Sequence, residues 1–134
     1  MTADKYLYTD LTYKIRGAFY EIYNTLGPGF KEIVYQKALA KELKIRGLNF
    51  EQEKSIPIIY KEEKIGIYKP DFVVENKIII EIKSVTHLTK IDEIQLYYYL
   101  KGTNFQLGFL VNFSEEKLKI IRRIYQSARI KNQR

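Results

Sequence analysis

The segment "KIIIEIKSV", Lys77 to Val85, constrains the fold more than any other. It holds the most apolar run of the chain and reads as a strand. Side chains alternate faces along a strand, so Ile78, Ile80 and Ile82 share one face and Ile79, Glu81 and Lys83 share the other. The even-numbered set is the better core face. The odd-numbered set carries charges, which are seldom buried unless paired or bound to a metal. A strand built only to fill a core has no need of them.

The surrounding pattern supplies the partners of this strand. "TDLTYKIRGAFYEIYNTLG" has Leu11, Ile15, Phe19, Ile22 and Leu26 at helical spacing, with Thr9 or Asp10 as its cap and "GPG" as its end. "KEIVYQKALAKELKIRG" reads as a second helix, with Ala38, Leu39 and Leu43 on its apolar face and Gly47 suited to its C-terminal cap. "SIPIIYK" and "KIGIYKPDFVV" read as two strands joined at a charged turn. After the isoleucine strand, "THLTKIDEIQLYYYLKGT" returns to helical spacing, with Thr89 as cap. "FQLGFLVNF" is a fourth strand, and "SEEKLKIIRRIYQSARI" reads as a last helix capped by Ser114. The predicted order is α, α, β, β, β, α, β, α. Short links make the first three strands an antiparallel meander, and a helical crossover makes the third and fourth parallel. The expected fold is a mixed α+β domain, a four-stranded mixed sheet flanked by helices.

Length and composition set the outer bounds. The 134 residues suit one domain with a real core, spanning residues 1–134. There are no cysteines, which excludes disulfides and thiolate metal sites. The single histidine, His87, excludes a multi-histidine zinc site. No apolar run approaches the ~20 residues that span a bilayer, and no signal peptide is apparent, so a cytoplasmic protein without a membrane partner is expected. The net charge of +7 favours a polyanionic partner, nucleic acid being the commonest, although a basic domain can also be merely soluble. Part of that excess sits in "RRIYQSARIKNQR" at the C-terminus.

The charges on the isoleucine strand acquire meaning from the hairpin before them. If Glu75 to Lys77 form a three-residue turn, Val74 pairs with Ile78, Val73 with Ile79, and Asp71 stands opposite Glu81. Opposed residues share a face with Cβ atoms ~5 Å apart. A two-residue turn would place Asp71 on the other face. Facing carboxylates repel, and a divalent cation removes that penalty; Mg²⁺ or Mn²⁺ prefers such oxygen ligands. Lys83, on the same face, is placed to orient a water or to stabilise charge on a phosphate. The same three residues also fit an ordinary carboxylate–lysine pair on a solvated sheet face.

"PDF…EIK", with Asp71, Glu81 and Lys83, resembles the signature of the PD-(D/E)XK nuclease superfamily. That resemblance implies a restriction-endonuclease-like α-β-β-β-α-β core. It implies Mg²⁺ ligands at Asp71, Glu81 and the backbone carbonyl of Ile82, and a catalytic role for Lys83. "GFKEIVY", Gly29 to Tyr35, is similar to the namesake motif of the GxxExxY family within that superfamily, and makes Glu32 a further acidic residue of the site. Glu32 and Tyr35 share a helical face. "QLYYY" resembles the QxxxY element of recombination-type members, which implies Gln95 near the metal and Tyr99 near nucleic acid. Tyr35 and Tyr99 are the expected nucleic-acid contacts. The expected function is a Mg²⁺-dependent nuclease acting on DNA, with a possible homodimer or protein partner. The alternative is a nucleic-acid-binding or scaffold protein that keeps the fold without turnover.

Overall fold

In the computed structural model, residues 7–126 are described. The elements are α1 (Thr9–Leu26), α2 (Glu32–Ile45), β1 (Phe50–Gln52), β2 (Ile56–Tyr60), β3 (Glu63–Tyr68), β4 (Phe72–Val74), β5 (Ile78–Lys83), α3 (Lys90–Gly102), β6 (Leu107–Asn112) and β7 (Lys119–Ile124). Five of the strands form one mixed sheet in the order β1-β4-β5-β6-β7, and β2 and β3 form a separate two-stranded sheet. The β5–β6 pair is parallel, joined by α3, and the other pairs are antiparallel. The restriction-endonuclease-like arrangement of a mixed sheet flanked by helices is thus present.

Two cores cover the two faces of the large sheet. Ile78, Ile80 and Ile82 pack with Ile15, Phe19 and Ile22 of α1 and Leu39 and Leu43 of α2. Ile79 packs on the opposite face with Leu96 and Leu100 of α3, Leu110 and Tyr68. α3 lies close against β6: a Cβ placed on Gly108 would sit 2.9 Å from the Leu96 side chain. α2 ends as expected, with Gly47 just beyond it at φ +72°, a conformation glycine adopts without a Cβ clash. α3 starts on a reciprocal capping box between Thr89 and Asp92. No helix among the described residues is long and apolar enough to cross a membrane.

Three expectations need correction. The run "KIGIYKPDFVV" is not one strand. It divides at Lys69–Pro70 into β3 and β4, which belong to different sheets. Pro70 has no N–H to extend a ladder, and the chain changes direction there. The large sheet has five strands rather than four, since β2 and β3 stand apart from it while the short β1 joins the edge of β4 and β7 joins β6. The helix expected from Ser114 onward is instead β7, antiparallel to β6. Ile120 and Ile124 pack towards one core and Ile121 towards the other, so strand pairing buries both sides of the segment. α1 is not capped by Thr9 or Asp10; its N-cap is Tyr8, without a side-chain capping bond. The basic residues 127–134 lie outside the described residues.

Candidate metal-dependent active site

The site grows from the turn between β4 and β5. Glu75 and Asn76 adopt φ of 53° and 55°, and the Lys77 N–H donates to the Val74 carbonyl at 3.0 Å. Asparagine accepts this left-handed conformation well, and Glu75 is tied in place by bonds to Asn49 from both its backbone and its carboxylate. The turn sets the register Val74↔Ile78, Val73↔Ile79, Phe72↔Ile80. One step further along, Asp71 meets Glu81.

The two carboxylates do not merely face each other. The Asp71 N–H donates to Glu81 Oε1 at 3.1 Å, and the Ile82 N–H donates to Asp71 Oδ2 at 2.7 Å. The Tyr68 hydroxyl donates to Glu81 Oε2. Each carboxylate is therefore aimed by donors from a neighbouring segment. Continuing the register by two residues would set Ile82 against Pro70, which has no N–H. The ladder thus supplies no donor to the Ile82 carbonyl on the side where Asp71 lies. The proline that splits the strand also frees an oxygen beside two carboxylates.

Burial dominates the electrostatics. It pushes the Glu81 carboxyl up to about 7, with the Asp71 charge adding to the rise and the Tyr68 hydroxyl opposing it. Asp71 is also raised, first by burial, against the lowering effects of the Ile82 N–H and the Lys83 charge. Glu32 is raised by burial and by Asp71, again opposed by Lys83. Burial and Glu81 hold the Tyr68 hydroxyl above its usual range, so it remains a donor. A set of carboxylates that resist ionisation together, with one lysine among them, is a site that a cation would relieve.

Glu32, Asp71, Glu81, Ile82, Lys83, Gln95 and Tyr99 line one cleft of about 100 Å³, together with Asp92, Leu96 and Leu110. α2, β5, α3 and β6 all contribute, with Asp71 from the residue just before β4. Glu32 is the first residue of α2, and the loop before it is clipped to the strand ends. Ser84 Oγ donates to the Phe30 carbonyl and lies 2.6 Å from Ser114 Oγ, which accepts the Gly29 N–H at 3.2 Å. A larger cavity of about 470 Å³ lies at the opposite end of β5, beside Asn76 and Lys77, but no acidic side chain lines it.

Among the described residues, no group of three or more His, Cys, Asp and Glu side chains forms a cation site by itself. The donors that fit one here are two carboxylates and a main-chain carbonyl. Asp71, Glu81 and Ile82 O form an oxygen-only set, which suits a hard cation such as Mg²⁺ or Mn²⁺.

Tyr35 corrects the sequence reading. It is 0% exposed and stacks on Phe113 at 4.6 Å between ring centroids. Its hydroxyl donates to the Gly27 carbonyl and accepts the Phe30 N–H. Tyr35 therefore shapes the loop before Glu32 and has no surface to offer nucleic acid. Tyr99 does reach the cleft, but its ring lies stacked on Tyr68, 3.7 Å between centroids. Gln95 Nε2 donates to the Tyr99 hydroxyl at 3.4 Å. Sequence reasoning missed Tyr68. Its one signal was position, three residues before Asp71 in "YKPD".

A family model described as the PD-(D/E)XK nuclease superfamily matches residues 9–124. No curated protein matches the sequence. Among solved structures, the crystal structure of SSO0001 is similar, with a TM-score of 0.50 and 19% sequence identity, over 75% of this chain and 55% of that one. At that identity the likeness concerns the fold alone, and this chain spans little more than half the length of that protein.

Proposed function

The chain belongs to the PD-(D/E)XK nuclease superfamily, and on that premise we propose that it is a divalent-metal-dependent nuclease that hydrolyses phosphodiester bonds in DNA. The observation that carries this reading is the convergence of Asp71, Glu81, Lys83 and Glu32 on one cleft, with the carboxyls raised by burial. Gly29, Glu32 and Tyr35 further support placing it in the GxxExxY branch.

Each residue has a distinct task in this reading. Asp71, Glu81 and the Ile82 carbonyl hold Mg²⁺ or Mn²⁺. When bound, the cation supplies a polarised phosphate oxygen and a water more readily deprotonated at neutral pH. Lys83, beside Asp71 and Glu32, orients the attacking water and stabilises negative charge on the phosphate. Glu32 and Gln95 border the cleft from α2 and α3 and orient water from their two sides. The net charge of +7 favours approach of a polyanion over long range.

Cleavage of single- and double-stranded DNA and RNA, with Mg²⁺ and with EDTA, tests this reading. The parent should cut DNA only with the metal. Asp71→Ala should lower the rate by about 1,000-fold or more, the scale of several kcal/mol of lost transition-state stabilisation. Lys83→Ala should keep metal binding and lose cleavage. Cleavage that survives EDTA would sink the proposal. Binding that weakens with salt but is never followed by cleavage would mark the chain as a silent nucleic-acid-binding protein.

A further inference from the structure

We propose that Tyr68 is a positioning residue for Glu81, holding its carboxylate in the orientation a divalent cation needs, with Tyr99 as the brace behind it. This inference rests on the metal site proposed above and adds to it a residue outside the Asp71, Glu81 and Lys83 set.

Tyr68 ends β3, so it belongs to the two-stranded sheet and not to the sheet that carries Glu81. It is nevertheless 4% exposed, and its hydroxyl donates to Glu81 Oε2. A buried tyrosine needs a partner for its hydroxyl, and many acceptors would serve. Here the partner is one of the two carboxylates of the proposed metal site. Oε1 of the same carboxylate accepts the Asp71 N–H at 3.1 Å. One donor on each oxygen fixes the plane of the carboxylate, which a single donor would leave free to swing. An ionised carboxylate has about four lone-pair sites, so each oxygen keeps capacity for a cation.

The ring of Tyr68 is fixed as firmly as its hydroxyl. It stacks on Tyr99 with 3.7 Å between centroids and 6° between planes. Tyr99 is held in turn by Gln95 and by its place on α3. The two-stranded sheet also rests on α3, where Ile58 approaches Gly102 closely enough that a Cβ there would lie 3.3 Å away. Outer partners of metal ligands set ligand orientation, and removing one typically weakens metal binding by about 10–100-fold.

Tyr68→Phe removes the hydroxyl and keeps the ring and its stack. Mn²⁺ binding to the full chain, followed by electron paramagnetic resonance of free Mn²⁺ without nucleic acid at pH 8, reads the effect apart from turnover. The parent should bind Mn²⁺, and Asp71→Ala should abolish that binding. Tyr68→Phe should bind about 10–100-fold more weakly, and the Mg²⁺ midpoint for cleavage should rise in step. Tyr98→Phe, on the same helix but outside the cleft, should bind like the parent. Tyr99→Leu, which removes the brace and leaves both donors, should weaken binding by a smaller factor and serves should Tyr68→Phe fold poorly. Thermal unfolding in EDTA reports folding for each variant. A Tyr68→Phe protein that folds and binds Mn²⁺ as tightly as the parent, or more tightly, overturns the proposal. A parent that binds no Mn²⁺, or whose binding survives Asp71→Ala, overturns the metal reading and this inference with it.

Discussion

β5 has two faces, and they do opposite work. Ile78, Ile80 and Ile82 are wholly or almost wholly buried against α1 and α2, in a core whose polar groups are few. Two residues away at most, Glu81 and Lys83 stand half-buried in a cleft with Asp71, Glu32 and Tyr68. The first face is ordinary packing, where burial of each side chain favours folding. On the second, burial raises the carboxyls and disfavours their charged forms. A period of two residues lets one strand carry both without mixing them. Ile79 still packs against α3 on the second face, so it is from Ile80 to Lys83 that stability and chemistry should separate by odd and even residue number.

The largest effect that tests this separation pairs Asp71→Ala with Ile80→Ala. Asp71→Ala should remove cleavage as described. Its stability in EDTA should move by ~1 kcal/mol or less, because the Ile82 N–H loses its acceptor while repulsion with Glu81 is relieved. Ile80→Ala should do the reverse. It opens a cavity beside Phe72, with which Ile80 is paired, and should cost about 2–5 kcal/mol of folding stability. Cleavage per folded molecule should be nearly unchanged. Urea unfolding and metal-dependent cleavage of the same preparations decide the point. A large fall in cleavage by folded Ile80→Ala would show that the two faces are coupled.

This same alternation explains what could be read in the chain and what could not. The β4–β5 register was legible because a three-residue turn and a strict period of two leave few options, and the structure has Val73 opposite Ile79 as expected. Thr89 was legible as a cap because its capping box is local. β7 was not. Ile120, Ile121 and Ile124 fall three and four residues apart, as on a helix, and Arg122 and Arg123 look like its solvated side. Charged residues also suit an edge strand, and the pairing with β6 that decides between the two is non-local. Tyr35 was misread for a related reason. Its motif spacing placed it near Glu32, while its burial depends on Phe113, far away in sequence.

A smaller effect concerns only the reactive face. Glu32, Asp71 and Glu81 all have raised values in the folded protein. The folded state therefore holds protons that the unfolded chain has released, and stability falls as pH rises through this window. For Glu81 the contribution is fully present below about 4.5 and is lost as pH rises through about 7. Each pKa unit corresponds to about 1.4 kcal/mol. In EDTA, the parent should therefore lose stability between pH 5 and pH 8, and Glu81→Gln should flatten that slope. Saturating Mg²⁺ should also flatten it, since the cation favours the ionised forms. At subsaturating Mg²⁺, cleavage should run the other way, rising with pH as the cation competes with fewer protons for Glu81. Urea midpoints across the pH series, with and without Mg²⁺, measure the stability slopes, and cleavage rates over the same series measure the last. An equal slope in the parent and Glu81→Gln would place the titration elsewhere.

The smallest effect falls on the residue whose motif and whose position point to different faces. Tyr35 belongs to the "GFKEIVY" motif with Glu32, yet its ring lies in the even-face core. If position governs, Tyr35→Phe should behave as a packing variant. The ring and its stack on Phe113 remain, and only the hydroxyl is lost. The Gly27 carbonyl then loses a donor and the Phe30 N–H loses an acceptor. The expected cost is about 1–2 kcal/mol, since each of the two hydrogen bonds contributes about 0.5–1.5 kcal/mol net. DNA affinity at fixed salt should not change, because a side chain with no exposed surface makes no contact to lose. Cleavage should fall only slightly, through looser placement of Glu32 by the loop that Tyr35 holds. Thermal unfolding beside a fluorescence-anisotropy titration with metal withheld separates the two roles. Weaker DNA binding at unchanged stability would return Tyr35 to the nucleic-acid surface and break the odd–even division at that residue.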